Sequence, residues 1–366
     1  MNFEEVMQEI TSGLTGDKDK DFKYLSEKAE EYKDSEYNTE IERAIGRMLF
    51  NLIPEEERKK LEQMVDNENA KWEAILEEAK FNYQQKDFIK AEKILKDHLN
   101  TIEEVNMYQD DSVSSYFCFE NVVEELLWKY LNDIEKDIRR PNEPLHEFYL
   151  WYGMTLIELK KINEARDALQ KSIKWNPMYA YARFEYAETF KITKEMDKFL
   201  ELTKEAMNYL YQDDQIARAY RNIAFYYSEK KEWEVANACI NYSLNFDNQN
   251  KSAMAELYFI SQGAGKTLDK PNGDELVEIF NNNNIPISPT DDIIGISYAL
   301  GNAFDENNNP QLALIFFELC HNFTGDEGLN NKIKELEEKI KKEEEKRWKC
   351  YGDENNKKVW ISKIVL

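Results

Sequence analysis

Arg218, Arg221 and Asn222 stand within one turn of each other on a stretch with helical spacing. Guanidinium groups three residues apart on a helix are neighbours on its surface. With an amide beside them they suit a carboxylate, which arginine holds through charge-assisted, often bidentate, hydrogen bonds. The background makes the pair informative: 72 acidic residues stand against 48 lysines and arginines, a net charge of −24. Either the arginines offset Glu185 or Glu188 upstream, or they anchor an acidic group of a partner.

Other residue sets with chemical potential dissolve on inspection. Gly265-Lys266-Thr267 matches the end of a phosphate-binding loop, but that motif needs a glycine where Ile260 stands, and a strand before it. A helix is expected there instead, so the segment reads as a surface loop. His98, His146 and His321 show no metal-ligand spacing, and no HExxH, GxSxG or nucleophile–base set occurs. No catalytic centre, cofactor or metal is therefore expected. Cys118, Cys239, Cys320 and Cys350 lack CxxC spacing and suggest no disulfide framework; Cys239 and Cys320, on expected helix seams, read as small buried hydrophobes. The acidity disfavours direct nucleic-acid binding, because phosphates would repel the chain. It suits solubility or a basic partner. The start, Met1-Asn2-Phe3-Glu4-Glu5, lacks a basic, apolar leader. No apolar run approaches the ~18 residues a membrane span needs. A cytoplasmic protein is expected.

The elements that would position Arg218 and Arg221 follow from a repeat. A small residue is followed twelve positions on by alanine at Ala79 and Ala91, Gly153 and Ala165, Ala224 and Ala236, and Gly301 and Ala313. Ala187 begins the same pattern, with Phe199 in the second place. Successive copies start 74, 34, 37 and 77 residues apart. The longer intervals hold about two periods plus an insertion. Such a period marks stacked helical hairpins, because one hairpin alone cannot bury its apolar face. Gly153 and Ala165 are expected where two antiparallel helices approach most closely, with Tyr152, Leu156, Leu169 and Ile173 around them. Pro177 ends that unit.

This pattern resembles the tetratricopeptide repeat. His146–Pro177 carries it most completely, with Tyr149, Tyr152, Gly153, Leu156, Ala165, Leu169 and Pro177. Ala217–Asn248, Ile294–Asp326, Trp72–Val105 and the weaker Ala180–Asp213 follow it. The resemblance covers roughly residues 72–327. It implies an all-α, right-handed superhelical solenoid of antiparallel helix pairs whose first helices line a concave groove. By that resemblance the groove positions are Leu150, Trp151 and Met154, then Tyr181 and Phe184, then Arg218, Arg221, Asn222 and Phe225. Some modules of this type clamp a terminal carboxylate with Lys, Asn and Arg spread over three repeats. Leu150, Met154 and Glu185 stand at the earlier positions here, so that clamp is not reproduced.

Outside the repeats, residues 1–68 read as an N-terminal helical bundle or cap, and 69–327 as the array. Phe3, Val6, Met7 and Ile10 face one way and Gly13 and Gly16 end their helix; Asp19 or Asp21 caps a second; Asn38 or Thr39 begins a third; Pro54 opens a charged fourth. Val113–Ile138 reads as a long helical stretch, and residues 281–289 as a flexible linker. Residues 328–366 read as a polar capping helix with a strand-prone tail at Lys358–Leu366. The expected function is a non-enzymatic protein-interaction module holding a peptide or helix in its groove. Two alternatives are a ligand-gated peptide-sensing regulator and an acidic immunity or inhibitor protein that neutralises a basic partner.

Overall fold

The computed structural model describes residues 3–35, 37–105 and 108–350. It is helical almost throughout, in two compact units. The first comprises residues 1–119 and 135–182, the second residues 120–134 and 183–366.

The first unit begins with three helices, α1 (Phe3–Ser12), α2 (Lys18–Glu31) and α3 (Asn38–Leu52). Val6, Ile10, Leu25, Ile41 and Ile45 form their common core, as helical spacing of the apolar residues predicts. The cap of α2 differs from expectation. Asp17, not Asp19 or Asp21, accepts the Lys20 amide. Asp21 is buried and turned back onto the preceding loop, where it accepts from the Thr15 and Gly16 amides and the Thr15 hydroxyl at 2.7–2.8 Å. Those bonds, the Thr15 amide first, hold its carboxyl below the usual range. The next helix, α4, runs unbroken from Glu55 to Gln84, across position 68, and pairs with α5 (Phe88–Val105). A second hairpin, α7 (Leu145–Glu158) and α8 (Ile162–Trp175), packs on that pair. Leu76, Leu95, Leu99, Phe148, Leu156 and Ala165 share one core across these helices.

The stretch Val113–Ile138 is not one helix. Two short strands, β1 (Ser114–Tyr116) and β2 (Asp137–Arg139), pair in parallel, with Ser114 opposite Asp137 and Tyr116 opposite Arg139. Only α6 (Val122–Leu131), between them in sequence, is helical, and it belongs to the second unit. The reason lies in the acidic residues before β1. Asp111 accepts the Val113 and Ser114 amides and Asp110 accepts that of Tyr116, which diverts those donors from a helix. Asn121 then caps α6 through the Glu124 amide.

The second unit contains α6, the pairs α9 (Ala180–Ile192) with α10 (Met196–Ala206) and α11 (Asp213–Glu229) with α12 (Trp233–Ser243), and a single helix α13 (Lys251–Ala264). The short α14 (Gly273–Asn282), the pair α15 (Asp291–Glu306) with α16 (Pro310–Thr324), and α17 (Glu327–Cys350), which packs on α16, complete it. The first three residues of α9 lie in the first unit. Residues 283–289, expected as a flexible linker, form a pinned strap. The Tyr220 hydroxyl donates to the Pro286 carbonyl and accepts the Ser288 amide, both at 3.0 Å. Lys204 and Tyr227 donate to the Asn283 carbonyl, and the Ser288 hydroxyl to that of Met207. Phe280, the one buried residue of α14, stacks on Tyr220 at 5.6 Å and anchors that helix to the hairpin before it. The strand expected at Lys358–Leu366 lies outside the described residues.

Candidate partner-binding groove

The candidate residues are placed by five turns built to one plan. Each first helix ends at a residue with positive φ seven positions after its small residue: Lys86, Lys160, Lys194, Lys231 and Asn308, at 62°, 60°, 64°, 63° and 60°. In each, the following amide reaches back five residues to a helix carbonyl: Asp87 to Asn82, Lys161 to Leu156, Glu195 to Phe190, Glu232 to Tyr227 and Asn309 to Phe304. This is the Schellman ending, which more often uses glycine at the left-handed position. The turn thus fixes where the second helix starts in every copy. Close approach follows at the small residues. A Cβ on Gly153 would lie 2.6 Å from Leu169 Cγ, and one on Gly301 would lie 2.7 Å from the Phe317 ring. The chain is thus built from repeated helical hairpins that share one turn geometry.

In the first unit, α7 carries Leu150, Trp151 and Met154. Leu150 is buried, while Trp151 and Met154 are half-buried. The Trp151 ring meets Tyr83 edge-on at 5.3 Å, and the Lys80 ammonium lies 5.8 Å from it. Lys80 is itself held by Glu147 and Glu77. Tyr181, at the start of α9, is 41 % exposed and meets Tyr179 at 5.7 Å.

In the second unit, α9 and α11 bring Phe184 and Arg218 together: the guanidinium lies 5.0 Å from the centre of the buried Phe184 ring. Arg218 also pairs with Glu185 at 2.8 Å, one of the two partners expected from the sequence. Arg221 pairs instead with Asp247, which follows α12, at 3.4 Å. Burial lowers the Arg221 guanidinium from its ordinary value, against the raising effect of Asp247. Asn222 is only 8 % exposed and its Nδ2 has no hydrogen-bond partner among the described residues. Phe225 crosses Phe199 edge-on at 6.3 Å, and the Lys191 ammonium lies 4.1 Å from its ring. Phe199, which stands where alanine was expected, is fully buried and fills that space.

Sequence reasoning expected a helix before Gly265 but missed the cleft that this helix lines beyond Phe225. A cleft of about 430 Å³ opens between α11 and α13, with Phe225, Ser228 and Glu229 on one wall and Ala255, Glu256 and Phe259 on the other. Its signal was the spacing of Ser252, Ala255, Glu256 and Phe259, a single helical face in a segment that fits the repeat poorly. Gly265 ends α13 at positive φ and no strand precedes it, so the loop at Lys266 has the wrong context for a phosphate.

No protein-family model matches the chain, and no curated protein matches it. Among solved structures, it is similar to the anaphase-promoting-complex hetero-tetramer Cut9–Hcn1, with 14 % identity and a TM-score of 0.31, over 88 % of this chain and 66 % of that one. It spans about two thirds of that chain. It is similar too to a tetratricopeptide repeat protein from Parabacteroides merdae, at 11 % identity and a TM-score of 0.27 over 72 % and 98 % of the two chains. For the P58(IPK) TPR domain the values are 12 % and 0.26, over 93 % and 98 %. None of these values bears on function. Among the described residues, no helix is long and apolar enough to cross a membrane.

Proposed function

We propose that the protein is a non-enzymatic interaction module that holds a peptide or helix of a protein partner along its first helices, in the cytoplasm. The supporting observation is the apolar surface those helices leave uncovered. Tyr258 and Phe259 on α13 are 69 % and 54 % exposed, and Met254 and, on α15, Tyr298 are exposed as well. Large apolar side chains gathered on one element rather than scattered mark an interaction site. In this reading Trp151, Met154, Tyr181 and Phe225 meet apolar groups of the partner, with Leu150 and Phe184 behind them. Arg218, Arg221 and Asn222 take an acidic group, exchanging Glu185 and Asp247 for it and using the unpartnered Asn222 amide. In this reading the helices α1 to α3 and α17 cap the array.

The test places a photo-crosslinking benzoylphenylalanine at Tyr258 or, as a control on a second helix, at exposed Gln311, in the native cell. Crosslinks to one protein from position 258 and none from 311 support the module. Equal capture at both positions, or none at 258, overturns it. A neutralising partner of a basic protein is a second reading, favoured by the net charge of −24. It requires the crosslinked protein to be basic and to dissociate as salt rises.

A further inference from the structure

The cleft between α11 and α13 has an unusual balance of polar groups. Ser228 is 4 % exposed, and its hydroxyl has no hydrogen-bond partner among the described residues. A helical serine at such a site ordinarily donates back to a carbonyl one turn earlier. A buried polar atom left unpaired is rare enough to need a cause, and an absent ligand is one.

The carboxylates point the same way. Glu229 and Glu256 line the cleft and neither forms an ion pair among the described residues. Burial raises Glu256 above the usual carboxylate range, and Lys191 opposes that shift only through space. Lys191 is otherwise engaged: Glu188 holds it at 3.1 Å and its ammonium sits on the Phe225 ring. Lys191 and Glu188 thus offset each other, leaving the cleft carboxylates Glu229 and Glu256 without an ion-pair partner among the described residues. The remaining walls, Phe225, Ala255 and Phe259, are apolar. Arg218 and Arg221, by contrast, each already have a carboxylate.

We propose that this cleft receives one lysine or arginine side chain from an extended basic segment of the partner. Its aliphatic stem lies between Phe225 and Phe259, its cationic head meets Glu229 and Glu256, and Ser228 Oγ accepts one N–H. The volume suits a single long side chain, at the lower end of the ~300–1,000 Å³ range of small-ligand clefts. An acidic side chain would face two like charges. A purely apolar one would leave Ser228 and Glu256 desolvated and unpaired, which binding penalises. The assignment rests on the interaction-module reading and specifies the chemistry that module selects.

The experiment uses the full chain and two short fluorescein-labelled peptides, one alternating Lys with Leu, the other with norleucine in place of each Lys. Anisotropy gives both affinities. The parent should favour the lysine peptide by at least about tenfold, the factor one charge-assisted contact supplies. The double variant Glu229→Gln, Glu256→Gln should lose that preference and keep its affinity for the norleucine peptide. Glu337→Gln with Glu338→Gln on α17 removes the same charge elsewhere and should leave the preference intact. If the preference survives the cleft variant, or both variants lose it equally, the attraction is a property of the net charge and the cleft assignment is wrong, with the module unaffected. If neither peptide binds the parent, the cleft assignment is wrong, and the crosslinking result from position 258 alone decides the module.

Discussion

The α11–α12 hairpin and the α13 segment lie next to each other in the second unit and treat their aromatic residues in opposite ways. On α11, Tyr220 and Tyr227 are buried, and both hydroxyls are used on the strap at residues 283–289. On α13, Met254, Tyr258 and Phe259 are exposed. The difference traces to the second helix. Behind α11 stands α12, in register through the Lys231 turn and close-packed at Ala236. Behind α13 comes a loop and then α14, which buries Phe280 against Tyr220 and Tyr242 rather than covering α13. A hairpin that lacks its own second helix keeps an open face, and that is where the cleft lies.

The contrast breaks most readily at the close-packed contacts. Ala236→Leu, and Gly153→Leu in the first unit, should each destabilise by about 2–4 kcal/mol, since overpacking a full contact forces the helices apart. Thermal melts of both, compared with the parent, test this; unchanged midpoints would mean the register assigned to the repeats is wrong. Next in size, Tyr220→Phe leaves the Pro286 carbonyl and the Ser288 amide without their buried partner. It should cost about 1–3 kcal/mol by denaturant titration. A cost near zero would show the strap to be an appendage.

Arg218→Ala with Arg221→Ala separates two roles of one pair. Each arginine is part-buried and paired, so the double variant should lose about 1 kcal/mol or more of stability. If the arginines also anchor the partner identified by crosslinking, affinity falls at least about tenfold on the same variant. Lost stability with unchanged affinity assigns them to the fold alone. Lys231→Gly acts in the opposite direction. A non-glycine residue in the left-handed region carries a penalty of about 1–2 kcal/mol. Glycine removes it but adds unfolded-chain entropy, so a net gain below about 1 kcal/mol is expected in the melting curve. Smallest of all, Tyr258→Ala on the open face should stay within about 0.5 kcal/mol of the parent.

How much of this was legible in the sequence depended on the range of the determining contacts. The hairpin register was, because Gly153 and Ala165 meet within a single hairpin and their types follow from the close approach. The partnership of Arg218 with Glu185 was also visible, one repeat apart. Arg221 with Asp247 was not, since nothing in local spacing marks Asp247 among 72 carboxylates. The break of Val113–Ile138 into β1, α6 and β2 was hidden behind apolar residues that suit either state. What decides it is side-chain bonding by Asp110 and Asp111, and a strand pairing across the whole α6 segment. The strap escaped for the same reason: asparagines and prolines look like a linker until Tyr220 meets them across 66 residues. The cleft between α11 and α13 was obscured because α13 departs from the repeat that guided the search for a groove.

The strap also changes how the second unit should come apart. An ideal array of hairpins has only nearest-neighbour coupling, so it frays from its ends one unit at a time. Here Tyr220 on α11 holds chain that leads directly into α15, and α6, drawn from far upstream, packs on α15 and anchors to Tyr211 through Asn121. These ties skip over α13 and α14. Loss of α15 therefore strips α11 of its buried hydroxyl partners. The two helices then share one opening reaction, and their amides exchange with solvent at a common free energy rather than along a gradient from the C-terminal end.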